Sequence, residues 1–412
     1  KINRLQKIIN TNVLNGGFQR NRYNLQLHGD SSIWYPLKIR RSFPKPSHSQ
    51  GLFYFADKKN DGGSVTMSSV SKIRIRPTMM AMVEPVEDSH FLPANPKDLL
   101  KADPKRRSPV RFRSAGVTLA GHLYRPPIAK PSDRTPGIVM CGPISSVKEQ
   151  TLPHYAERIS GAGFTVLTFD PRSFGESEGE PRAHYDPNRV IEDYANAVTY
   201  LCTRQDIDPA RVGIVGVCMG GGFAVSTAAR HRKVKAVVAI AGGYSIGGTF
   251  QRFMGVEGFA RFREQVNEMV MEEYRTGKVQ YIPTISRGIS AEVPMAVMPI
   301  EEAYSYYDRT HKSDAPNWSE KMTVSSLEPY FLYNSIVHAP LVAPTPILFI
   351  HGTKDTALLP EFAQQAYDAA LEPKELVWIE THNHIELYDQ DPYVSMAAAE
   401  AIQWLQRYLG SG

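Results

Sequence analysis

Much is missing from this chain of 412 residues, and each absence narrows what it can be. Three cysteines, Cys141, Cys202 and Cys218, are too few and too odd in number for a disulfide framework, which points to a reducing compartment and a cytoplasmic protein. No run of 18 or more apolar residues occurs, so nothing is expected to span or partner a membrane, and the opening residues lack the layout of a secretory signal. Neither a Gly-x-Gly-x-x-Gly nor a Walker loop is present, which removes the usual nucleotide cradles. No further ligands with zinc-like spacing accompany His382-x-His384, so no metal and no other cofactor is expected. Nucleic-acid-binding motifs are also lacking.

The net charge of +5 is unevenly spread. Residues 1–114 carry 21 Lys and Arg against 8 Asp and Glu, whereas residues 115–412 carry 26 against 34. With so little periodic apolar pattern beside it, the basic stretch 1–108 reads as a solvated, partly disordered extension and not as a nucleic-acid surface. Ile2, Leu5, Ile8 and Ile9 with Arg4 and Lys7 fit a short basic amphipathic helix of transit-peptide type, and Met67 is an alternative start. Residues 1–66 are assigned no structure.

From Pro109 the pattern becomes regular. VRFRSAGVTLAGHLYRP alternates around Ala115-Gly116 as a hairpin would, and TPGIVMCG, FTVLTFD, RVGIVG, VKAVVAIAG, TPILFIHG and KELVWIE are apolar runs of buried-strand type. Helices are predicted between them: 153–160, then a crossover helix from Pro187 capped by Asp186, then 360–371, and a last one from Pro392 to Leu409 capped by Asp391. Strand and helix alternate, so the fold class is α/β with a mostly parallel sheet. Residues 244–341 break the alternation with aromatic and Met-rich stretches, and read as an inserted helical lid able to line an apolar pocket. The expected organisation is an extension (1–108), a first core part (109–243), the lid (244–341) and a second core part (342–412).

The strand RVGIVG runs into Gly216-Val217-Cys218-Met219-Gly220 before a helix opens. This Gly-x-Cys-x-Gly is a nucleophile elbow, whose glycines leave room for a strained turn under the reactive residue. A nucleophile needs a base, and the base needs an orienting carboxylate. Asp355 follows the strand TPILFIHG, while His382 and His384 follow KELVWIE, all at C-terminal strand ends on the edge where Cys218 sits. Asp355 is then the acid, and either histidine can be the base.

The stretches AGHLYRP (120–126), VKEQT (147–151), DPRSFGESEG (170–179), GVCMGGG (216–222), HGTKD (351–355) and HIELYD (384–389) resemble a cysteine-nucleophile α/β-hydrolase family. That family includes fungal polyketide transferases of the fumagillin-pathway type, hydrolases of fungal toxin pathways and bacterial relatives. The resemblance implies an α/β-hydrolase fold with helices on both faces of the sheet. It also selects His384, because the family's histidine precedes a similar run. The expected chemistry is attack of Cys218 on an acyl carbon, with His384 taking the proton, Asp355 holding the imidazole and the Met219 N–H donating to the oxyanion. Where many relatives have a His-Pro-Gly-rich turn, this chain has Cys141-Gly142-Pro143-Ile144; Pro143 has no N–H, so Ile144, or failing that Ser145, is the second donor. The expected partner is a small or carrier-bound acyl substrate, an acyl carrier protein or coenzyme A thioester. The expected activity is acyl transfer or thioester hydrolysis; a plain esterase or lactone hydrolase, and a non-catalytic binding protein on the same scaffold, remain open.

Overall fold

The computed structural model describes residues 106–127 and 134–410, together with two short strands, Leu52–Phe53 (β1) and Ile73–Arg76 (β2). The expectations for residues 1–51, 54–72 and 77–105, the alternative start at Met67 among them, lie outside the described residues. The hairpin pairs Arg107–Ser114 (β3) with Val117–Tyr124 (β4) and closes on Ala115-Gly116, both at positive φ (42° and 90°). That two-residue turn suits the right-handed twist of the strands it joins.

Thr135–Cys141 (β5), Leu152–Gly161 (α1), Thr165–Phe169 (β6), Pro187–Thr203 (α2), Ile207–Val217 (β7), Met219–Arg230 (α3) and Val234–Ile240 (β8) follow in strict alternation. Every residue of β6 is buried, as expected of a strand covered on both faces. The Asp186 carboxylate accepts the Asn188 N–H at 2.9 Å, Pro187 fills the first helical position, and Val190, Ile191, Tyr194, Val198 and Leu201 form the buried face of α2.

The insertion holds Ile246–Thr276 (α4), Tyr281–Pro283 (β9), Glu301–Ser313 (α5), Lys321–Thr323 (β10) and Leu327–Phe331 (α6). It is not wholly helical: β9 and β10 pair antiparallel, and α4 breaks at Gly255, whose φ of 69° and ψ of 164° are not helical. After it come Ile347–Gly352 (β11), Pro360–Ala369 (α7), Lys374–Ile379 (β12), Glu386–Asp389 (α8) and Tyr393–Leu409 (α9). The last helix starts one residue later than predicted, with Pro392 at its cap position, and Asp391 still accepts the Ser395 N–H at 3.0 Å.

The strand order is β1-β2-β12-β11-β8-β7-β5-β6-β4-β3, and pairing is parallel from β6 across to β12. A parallel sheet opens all its C-terminal ends on one edge, where ligands of open α/β sheets bind. The residues after β5, β7, β11 and β12 therefore gather there. No helix among the described residues is long and apolar enough to cross a membrane.

Candidate active site

Cys218 lies between β7 and α3 with φ 58° and ψ −127°, a conformation that costs energy for any residue with a side chain. The flanking glycines make it possible. A Cβ on Gly216 would lie 1.9 Å from the Gly220 carbonyl oxygen, and one on Gly220 would lie 2.1 Å from the Cys141 carbonyl oxygen. The helix after the elbow starts directly at Met219, so Gly220, Gly221 and Gly222 pack inside it despite their poor helix propensity.

Asp355 and His384 come together. His384 Nδ1 stands 2.6 Å from Asp355 Oδ2, and Asp355 Oδ1 accepts the N–H groups of Ala357 (3.0 Å) and Leu358 (2.8 Å). Burial works against both charges. For Asp355 the His384 imidazole overrides it, helped by His351 and the Leu358 N–H, and the carboxyl stays below its ordinary range. For His384 the Asp355 carboxylate and then Cys218 override it, and the imidazole stays well above its ordinary range. His384 Nε2 is buried and forms no hydrogen bond of normal geometry. Cys218 and His384 line the same cavity.

His382, the rival base, turns away. Its side chain is 68% exposed, its Nδ1 stands 3.1 Å from Glu386 Oε1 and 3.2 Å from the Tyr393 hydroxyl, and its N–H donates to Glu386 Oε2. Cys141 is a second thiol near the elbow, but it is fully buried and burial pushes its pKa well up, so it is inert beside Cys218.

The turn after β5 is tied down from the insertion. Tyr307 of α5 donates to the Ile144 carbonyl at 3.1 Å and shares a hydrogen bond with Ser146 Oγ at 3.0 Å. Gln150 Nε2 donates to Thr310 Oγ1 at 2.8 Å, the Thr151 and Tyr306 hydroxyls meet at 2.8 Å, and Trp318 Nε1 donates to Ser145 Oγ at 3.3 Å. Among the described residues, the N–H groups of Met219, Ile144 and Ser145 have no protein acceptor. Met219 and Ile144 line the same cavity as Cys218 and His384.

Below the turn lies a charged cluster that sequence reasoning did not single out. Lys148, 1% exposed, sends Nζ to Asp170 Oδ2 (2.9 Å), Glu149 Oε1 (2.8 Å) and Glu176 Oε2 (2.8 Å), while its N–H donates to Asp170 Oδ1 at 2.7 Å.

The cavity above Cys218 measures about 630 Å³ and is lined mainly by apolar residues of the insertion, Ile246, Phe250, Met254 and Phe262 of α4 among them. Its polar lining is sparse. Ligand sites in general combine such a lining with a few placed polar groups.

A mostly parallel sheet with a strand-to-helix elbow, and an acid and a histidine after its later strands, is the α/β-hydrolase fold. Within that class, the chain belongs to the Hydrolase_4 family, described as serine aminopeptidase, S33, whose model matches residues 147–391. At the elbow this chain carries cysteine. It is 31% identical over 302 residues to the uncharacterized protein PA2218 of Pseudomonas aeruginosa, covering 71% of this chain and 78% of that one. The crystal structure of PA2218 superimposes with a TM-score of 0.63 at 28% identity, covering 74% of this chain and 94% of that one. Two fungal proteins are also similar: the thiohydrolase AneE of Aspergillus aculeatus (29% over 286 residues, 68% of this chain and 87% of that one) and the polyketide transferase ClaH of Penicillium crustosum (24% over 303 residues, 73% and 97%).

Proposed function

We propose that this chain is an acyl transferase or thioester hydrolase that carries its acyl group on Cys218, with His384 taking the thiol proton and Asp355 orienting the imidazole. The observation that supports this reading best is an imidazole held on one side by a buried carboxylate, with its other nitrogen unbonded beside a cysteine at the floor of an apolar cavity. The names of the fungal relatives AneE and ClaH support the substrate class, a thioester of a polyketide or related acyl chain.

The chemistry follows from the groups present. His384 Nε2 takes the Cys218 proton, and the sulfur attacks the donor carbonyl while its π pair moves to oxygen. Met219 and Ile144 line the cavity and their N–H groups have no other protein acceptor, so they are assigned as the donors to that oxyanion. Collapse expels the donor thiolate, which takes the proton from Nε2. In the second half, Nε2 takes the proton of an alcohol or water, whose oxygen bonds the acyl carbon as the carbon–sulfur bond breaks.

A thiol has an energetic advantage here over a hydroxyl. Exchanging one thioester for another changes little free energy, so the bound acyl group keeps its transfer potential. The test is the intact mass of the protein after exposure to short and polyene acyl thioesters, of coenzyme A and of a carrier protein. An acyl increment that maps to Cys218 supports the reading; failure of every thioester to label the protein, alongside hydrolysis of simple esters, replaces it with a plain esterase.

A further inference from the structure

Ser145 holds a backbone conformation that its side chain disfavours. The Ser146 N–H donates to the Pro143 carbonyl at 3.2 Å, which closes a four-residue turn with Ile144 and Ser145 at its centre. Ser145 has φ 58° while Ile144 is not at positive φ, the pattern of a type II turn, whose third residue is usually Gly or Asn. The commoner type I turn would relieve that strain. The two turns differ by about 150° in ψ of the second residue and about 170° in φ of the third, so the peptide between them is turned over. Here, then, the less favoured orientation of the Ile144–Ser145 peptide has to be held in place.

The hold comes from the insertion. Among the described residues the Ile144 carbonyl has one donor, the Tyr307 hydroxyl at 3.1 Å, and turning the peptide over would break that bond. A carbonyl can only accept, so the single Tyr307 proton goes to it, and Ser146 Oγ at 3.0 Å donates to the Tyr307 oxygen. Tyr307 is itself fixed: it is fully buried, stacks on the Trp318 ring at 5.0 Å and meets the Tyr306 ring edge-on at 5.1 Å. Trp318 adds a second tie through its Nε1–H, which donates to Ser145 Oγ at 3.3 Å. Ile144 lines the cavity and Tyr307 does not, so the bond draws the carbonyl into packed protein. The peptide is trans, so its N–H, that of Ser145, points the opposite way. Ser145 is buried and this N–H has no protein acceptor. Buried donors left unpaired by protein are rare, and a catalytic role is one reason for them.

We infer that Tyr307 is a positioning residue for the oxyanion: it holds the Ile144–Ser145 peptide turned over, so that the turn after β5 offers N–H groups and keeps the Ile144 carbonyl out of the cavity. This rests on the reading of Cys218 as the acyl carrier. Without the Tyr307 hydroxyl the turn relaxes toward type I, and the carbonyl takes the place of the Ser145 N–H. A carbonyl oxygen there repels the negative oxygen that forms in both half-reactions. The insertion thus sets the chemistry beneath it as well as lining the cavity.

The experiment follows loading and release separately by intact-mass spectrometry, with octanoyl-N-acetylcysteamine thioester as donor and, after its removal, water or ethanol as acceptor. Alkylation of Cys218 by iodoacetamide is measured alongside; it forms no oxyanion, so it reports the thiol and His384 alone. Tyr307→Phe is expected to slow loading at saturating donor and release alike, by about 10- to 100-fold, with half-saturation and alkylation within about threefold of wild type. Loading and release at wild-type rates, or alkylation slowed as much as loading, overturns the role. Adding Ser145→Gly to Tyr307→Phe removes the penalty on positive φ and is expected to recover at least about threefold in both steps; no recovery overturns the role. If Tyr307→Phe does not fold, Ser145→Thr opposes positive φ without touching Tyr307. Slowing of both steps with alkylation retained then supports the role, and wild-type rates overturn it. A wild-type chain that gains no octanoyl mass overturns the acyl-carrier reading. Hydrolysis of p-nitrophenyl octanoate by the same variants, which also passes through an oxyanion, then decides the role of Tyr307 by the same criteria.

Discussion

The 2.6 Å contact between His384 Nδ1 and Asp355 Oδ2 joins two side chains whose ionisation shifts in opposite directions on folding. His384 is raised from 6.5, so its contribution to stability is whole below that pH and fades as pH climbs through the folded value. Asp355 is lowered from 3.8, so its contribution is whole above that pH and is lost as pH falls through the folded value. The stability gap between wild type and Asp355→Asn is therefore expected to be widest between about pH 4 and 6.5 and to narrow above it. Urea unfolding across that range measures it, and a gap that widens toward alkaline pH contradicts the ion pair.

The two histidines of THNHIE are expected to separate cleanly in function. His384→Ala should cost about two to four orders of magnitude in acylation of Cys218, the usual contribution of a positioned base. His382→Ala removes a largely exposed ring bonded to Glu386 and should leave acylation within about threefold of wild type. Equal losses, restored by added zinc, would revive the metal pair.

Gly220 tests the elbow without touching its chemistry. A methyl group there would meet the Cys141 carbonyl oxygen at 2.1 Å, and that oxygen belongs to a central strand with nowhere to go. Gly220→Ala should cost at least about 1–3 kcal/mol, as overpacking does, and displace Cys218. Gly161→Ala is the control, since a Cβ there meets nothing within 4 Å, and it should be neutral or stabilising by up to about 1 kcal/mol. Thermal melts with iodoacetamide labelling of Cys218 read both effects.

The strands and the elbow could be read from the sequence because physical constraints act on them locally. Strands buried on both faces must be apolar runs, and a residue on so strained a strand-to-helix turn must be flanked by small residues, as Cys218 is by Gly216 and Gly220. Once strand ends are located, a parallel sheet brings Asp355 and His384 to the edge of Cys218 by topology alone. Other features leave no local trace. The strands β9 and β10 are three residues each and pair across a long stretch of chain, so no periodicity marks them. Lys148 reads as a surface residue until Asp170 is seen under it.

Lys148 gives a sharp stability prediction. Its removal leaves the Asp170 carboxylate buried with no counter-charge, and loss of one partner of such a pair costs about 3–5 kcal/mol. Lys148→Met should fall in that range by urea unfolding, and adding Asp170→Asn should recover part of the loss. If the double variant is less stable than the sum of the singles, the pair is not the source of the cost.

Cys218→Ser tests why a thiol stands at the elbow. The same His384 and Asp355 can activate a hydroxyl, and the cavity is unchanged, so loading from a thioester should proceed and run downhill to an oxygen ester. That ester has already released the transfer potential of the donor. Passing its acyl group to an alcohol is nearly level in free energy, and the departing alkoxide is a poorer leaving group than a thiolate. The serine variant is expected to accumulate as acyl-enzyme and to lose turnover, with alcohol acceptors affected more than a change in nucleophilicity alone produces. Single-turnover mass spectrometry separates the two steps. Loading and release to alcohols at wild-type rates would show that the thioester linkage is not what the site was built to keep, and that an ordinary esterase describes it better.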